Sequence, residues 1–196
     1  MSTLTPAERR ALAGEAEKAN ICGRATALTA ISTLRPLGVL FNRVLFFLSP
    51  YLPFLHTKLV KLSFIHFARW VVVDSLRGEE LRHTHQFFES NFNGTWSQYI
   101  DAFSYVVPRE LGLTFGVSYG WPGPVPAAPF KAFITRHEYT ASHFYSAYPE
   151  ATTTMILSAL EVKERLDDLR ARARKMDAAE FDAAWEQFLT DVQRHL

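Results

Sequence analysis

The alternation of hydrophobic and polar positions along this chain changes period several times, and each change marks an element. Near the start, Thr5-Pro6-Ala7-Glu8 reads as a helix N-terminus. Thr5 can cap, Pro6 suits the first helical position where no N–H is needed, and Glu8 can reach back to the cap. The helix is predicted to run to about Ala19 and to be peripheral, because alanine and charge dominate it; Gly23 then breaks the pattern. Arg24 to Leu34 (RATALTAISTL) is rich in Thr, Ala and Ile and reads as a first strand. Pro36 ends it and opens an apolar helix that Ser49-Pro50 stops. Ser63 to Asp74 (SFIHFARWVVVD), full of aromatic and β-branched residues, is the strongest strand signal. Turn chemistry follows at Ser75 to Glu80 with Gly78, and Arg82 to Phe92 (RHTHQFFESNF) reads as the antiparallel partner.

Asn93-Gly94 closes that strand, and Thr95 with Gln98 three residues on forms a capping box. Trp96, Tyr99, Ile100 and Phe103 recur at i, i+3, i+4 and i+7, one face of a helix. Pro108 opens a second helical segment through Phe115. Tyr119 to Phe130 (YGWPGPVPAAPF) carries four prolines and two glycines and is expected to be an extended loop. Thr140 to Tyr148 (TASHFYSAY) reads as a fourth strand, closed by Pro149. A helix from about Thr152 to Lys175 follows, with Ile156, Leu160, Leu166 and Leu169 as its apolar points and a basic end that complements the helix dipole. Asp177 and Glu180 cap a final helix striped by Phe181, Trp185, Phe188, Leu189 and Val192.

Strand, helix, strand, strand, helix, strand is the split β-α-β order of ferredoxin-like domains. The expected fold is therefore α+β: a ferredoxin-like β-α-β-β-α-β core over about 24–149 with a four-stranded antiparallel sheet. An extra N-terminal helix and a C-terminal extension of two helices, about 150–196, complete a single domain of 1–196. In the strand from Ser63, the alternate sets Phe64, His66, Ala68, Trp70, Val72 and Ile65, Phe67, Arg69, Val71, Val73 are both largely apolar. A sheet with one wet face should alternate cleanly, so both faces are expected to be covered. A second copy in a C2 homodimer is the simplest cover, and the C-terminal helices are the competitor.

This order, with the helix start after Asn93-Gly94, resembles the dimeric α/β-barrel superfamily of ferredoxin-like proteins. That group includes small monooxygenases, haem-degrading enzymes and haem-containing peroxidase relatives. The stretches SFIHFARW and FFESNFNGTWSQYIDAF also resemble an uncharacterised bacterial family with no activity attached to it. The resemblance covers roughly Arg24 to Pro149 and implies a pocket between sheet and helices, without supplying catalytic residues.

Composition narrows the partners. The formal net charge of +1 argues against nucleic acid, where a basic stripe is expected. The aromatic share of 14% fits a bulky core, an aromatic-lined pocket or an oligomer surface. One cysteine, Cys22, leaves no disulfide framework and no cysteine-based zinc site. With a polar, charged stretch at Ser2 to Lys18, it leads to the expectation of a cytoplasmic location. Pro36 to Leu55 (PLGVLFNRVLFFLSPYLPFL) is the least ordinary segment. Its uncharged run, Val44 to Leu55, has 12 residues and both Pro50 and Pro53, against the roughly 20 a spanning helix needs. A buried core helix is the first reading, and contact with a membrane surface is the alternative.

Among candidate site residues, His66 sits mid-strand between aromatic neighbours and could act as a haem ligand or general base. A core histidine satisfied by a backbone or carboxylate partner is the plainer reading. Arg69 needs an anion, either Glu89 or an acidic ligand. His143 and Tyr145 share one side of the expected fourth strand and could pair for proton transfer. His66, His143 and Tyr145 are thus the catalytic candidates, and Arg69, Trp70 and Asn91 the ligand-binding ones. His83 and His85 have metal-compatible spacing but no evident third ligand, so no metal site is assigned. The function expected is that of an oxidoreductase-like or ligand-binding homodimer taking an apolar or aromatic small molecule, with haem as a candidate cofactor. A non-enzymatic lipid-binding or peripheral membrane protein is the alternative.

Overall fold

The computed structural model describes residues 19–52 and 57–195. The helix expected from Thr5 lies almost entirely outside them. The chain forms two compact units, Met1–Glu150 and Ala151–Leu196.

In the first unit, β1 (Ile21–Cys22) and β2 (Ala25–Thr33) precede α1 (Pro36–Leu48). Short 3-10 turns at Ser49–Tyr51 and Leu59–Lys61 lead to β3 (Ile65–Leu76) and β4 (Glu79–Asn93). Helices α2 (Trp96–Val106), α3 (Pro108–Phe115) and α4 (Ala127–His137) follow, and then the short β5 (Glu138–Tyr139). All pairings in the sheet are antiparallel: β3 pairs β4, β4 pairs β2, and both β1 and β5 pair β2. The fold is α+β with an open five-stranded antiparallel sheet.

Local chemistry explains most of these boundaries. Arg77 and Gly78 both have positive φ, 54° and 88°, and join β3 to β4 in a two-residue turn between Leu76 and Glu79. Thr95 and Gln98 form the expected capping box at α2. Pro108 occupies the first turn of α3 after the chain bends at Val107. On α2, Tyr99, Ile100 and Phe103 are all buried, as their spacing requires.

One face of the sheet carries the core. Leu28 and Ala30 of β2, Phe88 and Phe92 of β4, and Ala68 and Trp70 of β3 pack there against α2, α3 and α4. The α1 helix joins the same face through Asn42, whose Nδ2 donates to Gln86 Oε1 at 2.6 Å and to Thr114 O at 3.1 Å. Phe92 stacks on Tyr99 with ring centroids 3.8 Å apart. Burial pushes the Tyr99 phenol well above its ordinary value of 10.0, and the nearby Ser90 hydroxyl offsets part of the effect. The unfolded chain ionises this phenol near the ordinary value while the folded chain keeps it neutral. Tyr99 therefore contributes no loss below about pH 10 and an increasing loss as pH rises above it. Urea titrations at pH 9 and pH 11 are expected to show a steeper fall for the wild type than for Tyr99→Phe.

The opposite face is more open. Rows of directly paired residues cross it: Ile31, Phe87 and Val71 in one, Thr29, Glu89 and Arg69 in the next. Phe67 and Val71 are 43% and 40% exposed there in the single chain, whereas the helix-bearing face is covered within the chain itself. The strict parity read along β3 fails, because a register shift between Ile65 and Phe67 places His66 in a bulge. A bulge gives one strand an extra, unpaired residue and turns its side chain away from the regular alternation.

The fourth strand expected at Thr140 to Tyr148 does not form. Only Glu138 and Tyr139 pair with β2, opposite Ala30 and Thr29. Extending this pairing would require the β2 edge at Ala25 to Ala27. There β1 already pairs with Ala25 and Thr26, and Asn20 O accepts the Ala27 N–H at 2.8 Å. Asn20 Oδ1 instead accepts the Ala141 N–H at 2.7 Å, and the chain continues as an irregular segment. The expected proline loop is likewise shorter. From Ala127 the chain is helical, burying Phe130, Phe133 and Ile134.

The second unit is a pair of helices, α5 (Thr153–Ala173) and α6 (Ala178–Val192). Thr152 caps α5, and Asp177 with Glu180 forms the expected capping box at α6. Leu169, Phe188 and Val192 make its small core, with Leu166 packed against them. Ile156 and Leu160, expected to be apolar anchors, are exposed at 44% and 57%.

Candidate functional site

The helix-bearing side of the sheet carries a partly open cavity of about 260 Å³. Its walls come from four places in the sequence. The inner side of α1 supplies Leu45 and Phe46, with Ser49 just beyond the helix. The sheet contributes Ala68 and Trp70 from β3, and Leu59 comes from the turn before it. Phe103 of α2 and Val107 lead into the α3 residues Glu110, Leu111 and Thr114. Each residue is placed by an element already accounted for. Ala68 and Trp70 share the strand face that pairs with Ser90 and Phe88, and Phe103 lies on the buried stripe of α2.

Two polar atoms stand out in this apolar lining. The Trp70 ring rests on Phe88, centroids 4.9 Å apart, and its Nε1–H is buried with no hydrogen-bond partner. Glu110 is 9% exposed; Lys58 Nζ lies 3.3 Å from its Oε1, while its Oε2 is buried with no partner. A buried polar group without a partner costs about 1–3 kcal/mol, and most are satisfied in folded proteins. Glu110 sits in the first turn of α3, where the positive end of the helix dipole favours a carboxylate. Trp70 and Glu110 thus bring one unpartnered donor and one unpartnered acceptor, both shielded from solvent, to a lining that is otherwise mostly hydrocarbon. Thr114 adds no free hydroxyl proton, since its Oγ1 donates to Glu110 O at 3.1 Å.

Of the residues expected from sequence to form a site, Trp70 alone lines this cavity. His66 is exposed in the β3 bulge at one edge of the sheet. His143 and Tyr145 are exposed in the irregular segment that runs beside Asn20 and Arg24, beyond the other edge. Two intervening strands, β2 and β4, separate these edges, so the three catalytic candidates do not converge. Arg69 lies on the opposite sheet face, paired with Glu89 at 2.5 Å and set over the Phe87 ring at 5.6 Å. Asn91 is also on that face, between Ala27 and Phe67, with its Oδ1 buried and unpartnered. His85 Nδ1 meets Thr33 Oγ1 at 3.2 Å, and among the described residues no group of three metal-binding side chains comes together.

Sequence reasoning missed Glu110, although a signal was present. The apolar stripe of Phe103 continues through Val107, Leu111 and Thr114, and Glu110 falls on the same side. A carboxylate on a buried stripe is unusual enough to mark a site.

The lining also bears on haem. Protein ligands to haem iron are His, Cys, Met or Tyr, and none of these is among the described residues that line the cavity. That described lining does not fit haem, and His66 stands outside the cavity on an exposed bulge. Titration with haemin is expected to give the spectrum of free haemin, with His66→Ala indistinguishable from wild type; a shifted Soret band lost in His66→Ala would contradict this. Comparison with known protein families, curated proteins and solved structures finds no match for this chain.

Proposed function

We propose that this chain is a small-molecule-binding protein. Its ligand has an apolar body and one small polar end, such as a hydroxyl, and occupies the cavity between α1, β3 and α3. The observation that carries this reading is the pair of buried, unpartnered atoms of opposite sense, Trp70 Nε1–H and Glu110 Oε2, on a hydrocarbon wall. A ligand hydroxyl can accept from the first or donate to the second. The volume of about 260 Å³ lies below the roughly 300–1,000 Å³ of sites for drug-sized ligands, which sets the scale of the molecule. Glu110 is the titratable group of the described lining, which brings no histidine, cysteine or tyrosine to a substrate. Binding is therefore better supported than oxidation by the protein's own groups.

The same reading includes a ferredoxin-like core. The order β5-β2-β4-β3, all antiparallel and with α1 and α2 on one face, supports it. It also includes a homodimer formed through the open sheet face, where the Ile31, Phe87 and Val71 row supplies apolar contact and Arg69 with Glu89 a self-complementary rim.

Thermal unfolding across a series of linear primary alcohols tests the binding. The melting temperature is expected to rise with chain length up to the length that fills the cavity, and then to stop rising. Ala68→Leu, which places extra bulk on the cavity wall, is expected to remove the effect. A melting temperature that falls with every alcohol, or an effect retained in Ala68→Leu, would overturn the reading.

A further inference from the structure

The α1 helix is amphipathic in an inverted sense. Its buried positions are Gly38 and Asn42, one without a side chain and one polar. A Cβ at Gly38 would stand 2.5 Å from Val117 Cβ, so α1 lies very close to the loop after α3. Apart from Leu45 and Phe46, which line the cavity, the large apolar residues point the other way. Leu37, Leu40, Phe41, Val44, Phe47 and Leu48 are all exposed, Leu37 at 88% and Phe47 at 76%. Their spacing of three and four residues makes a continuous stripe, which Tyr51 extends by a further turn at 76% exposure. Around Leu37 and Phe41 the stripe widens into an apolar groove bordered by Val117 and Tyr119.

Charge indicates what this stripe meets. From Lys18 to Val73 the chain has seven Lys and Arg residues and no Asp or Glu, although the whole chain is nearly neutral. Four of those cations are paired with carboxylates from other parts of the chain: Arg24 with Glu150, Arg43 with Asp74, Lys58 with Glu110 and Arg69 with Glu89. Arg35, immediately before α1, and Lys61, in the turn beyond its C-terminal end, have no carboxylate within 4 Å among the described residues. Arg35 instead lies over the Tyr119 ring, 6.0 Å from its centroid. An apolar helix face free of acidic residues, with the exposed cation Arg35 just before it and Lys61 in the described turn at Leu59–Lys61, matches the interface of an anionic bilayer. Thirteen residues of helix reach only about 20 Å, short of the roughly 30 Å hydrocarbon core. Among the described residues no helix is long and apolar enough to cross a membrane.

We infer that α1 docks this protein on an anionic lipid surface, lying in the plane of the interface with its Leu and Phe side chains in the acyl boundary and Arg35 and Lys61 at the headgroups. The inference uses the outer side of α1, whereas the ligand cavity uses the inner side, so each stands or falls separately.

Flotation of the full chain with vesicles tests it. Binding is expected with phosphatidylcholine vesicles containing 30% phosphatidylserine, and at least tenfold less with phosphatidylcholine alone. Phe47→Glu, at a position too exposed to disturb the fold, is expected to reduce binding at least tenfold with unchanged circular dichroism and melting temperature. Arg35→Gln and Lys61→Gln are each expected to weaken binding about fivefold. Failure to float with either vesicle overturns the inference, as does flotation that survives Phe47→Glu. A dimer seen by light scattering that Phe47→Glu dissolves, without vesicle binding by the wild type, would show that a second copy covers the stripe and would overturn it equally.

Discussion

Replacing Phe92 with alanine is expected to lower the unfolding free energy of the first unit by about 3–5 kcal/mol. Phe92 is fully buried on the helix-bearing face, stacked on Tyr99 and paired across the sheet with Thr26 and Ile65. The void left behind is bounded on one side by a sheet whose backbone bonds hold its strands at fixed spacing. Relaxation into it is limited, and the cost falls in the upper part of the range for aromatic truncations. Phe87, the adjacent residue of β4, points to the other face and is half-buried. Phe87→Ala is therefore expected to cost clearly less, below about 2 kcal/mol, since only part of the ring's area is removed from water on folding. Urea denaturation followed by tryptophan fluorescence compares the two variants. Equal losses would mean that the two faces of the sheet are not as unequal as described.

Replacing Glu110 with leucine is expected to move stability and binding in opposite directions. Without ligand, the carboxylate is a liability: it is desolvated, only its Oε1 meets Lys58, and its Oε2 has no partner. Leucine of similar size removes that desolvation cost and leaves Lys58, which is partly exposed, to be solvated. The unfolding free energy of Glu110→Leu is expected to stay level or rise by about 1 kcal/mol. The affinity for a linear alcohol is expected to fall about tenfold or more, because the ligand hydroxyl then lacks its acceptor. A carboxylate held only for structure would give the reverse, a marked loss of stability with alcohol binding unchanged. Calorimetric titration and denaturation of the same preparation separate the two outcomes.

The parts of this molecule that could be read from its sequence are those set by neighbours along the chain. The capping boxes at Thr95 and Asp177, the buried stripe of α2 and the three long strands all depend on residues within a few positions of one another. The expected fourth strand failed for a long-range reason. Asn20 and β1 hold the β2 edge that Thr140 onward would need, and nothing near Thr140 records that competition. The α4 helix was hidden because Pro126 and Pro129 mask its start, although Phe130, Phe133 and Ile134 keep helical spacing. His66 was misplaced by a bulge, which shifts one residue without leaving a mark in the pattern of alternation. The cavity is less legible still, since its lining joins residues from Leu45 to Thr114 through the packing of four elements. Trp70, named from the sequence as a ligand-binding candidate, lines the cavity, while Glu110 of the same lining was passed over by local reading.

The indole N–H resonances of the four tryptophans offer the most direct view of the cavity. In a nitrogen–proton correlation spectrum titrated with 1-hexanol, the Trp70 signal is expected to shift and saturate as its N–H gains an acceptor. Trp96, whose Nε1 already donates to Glu138 Oε2 at 2.9 Å, is expected to stay in place. A Trp70 signal that does not move, or moves without saturating and in step with Trp185 on α6, would show that no ligand enters between α1, β3 and α3.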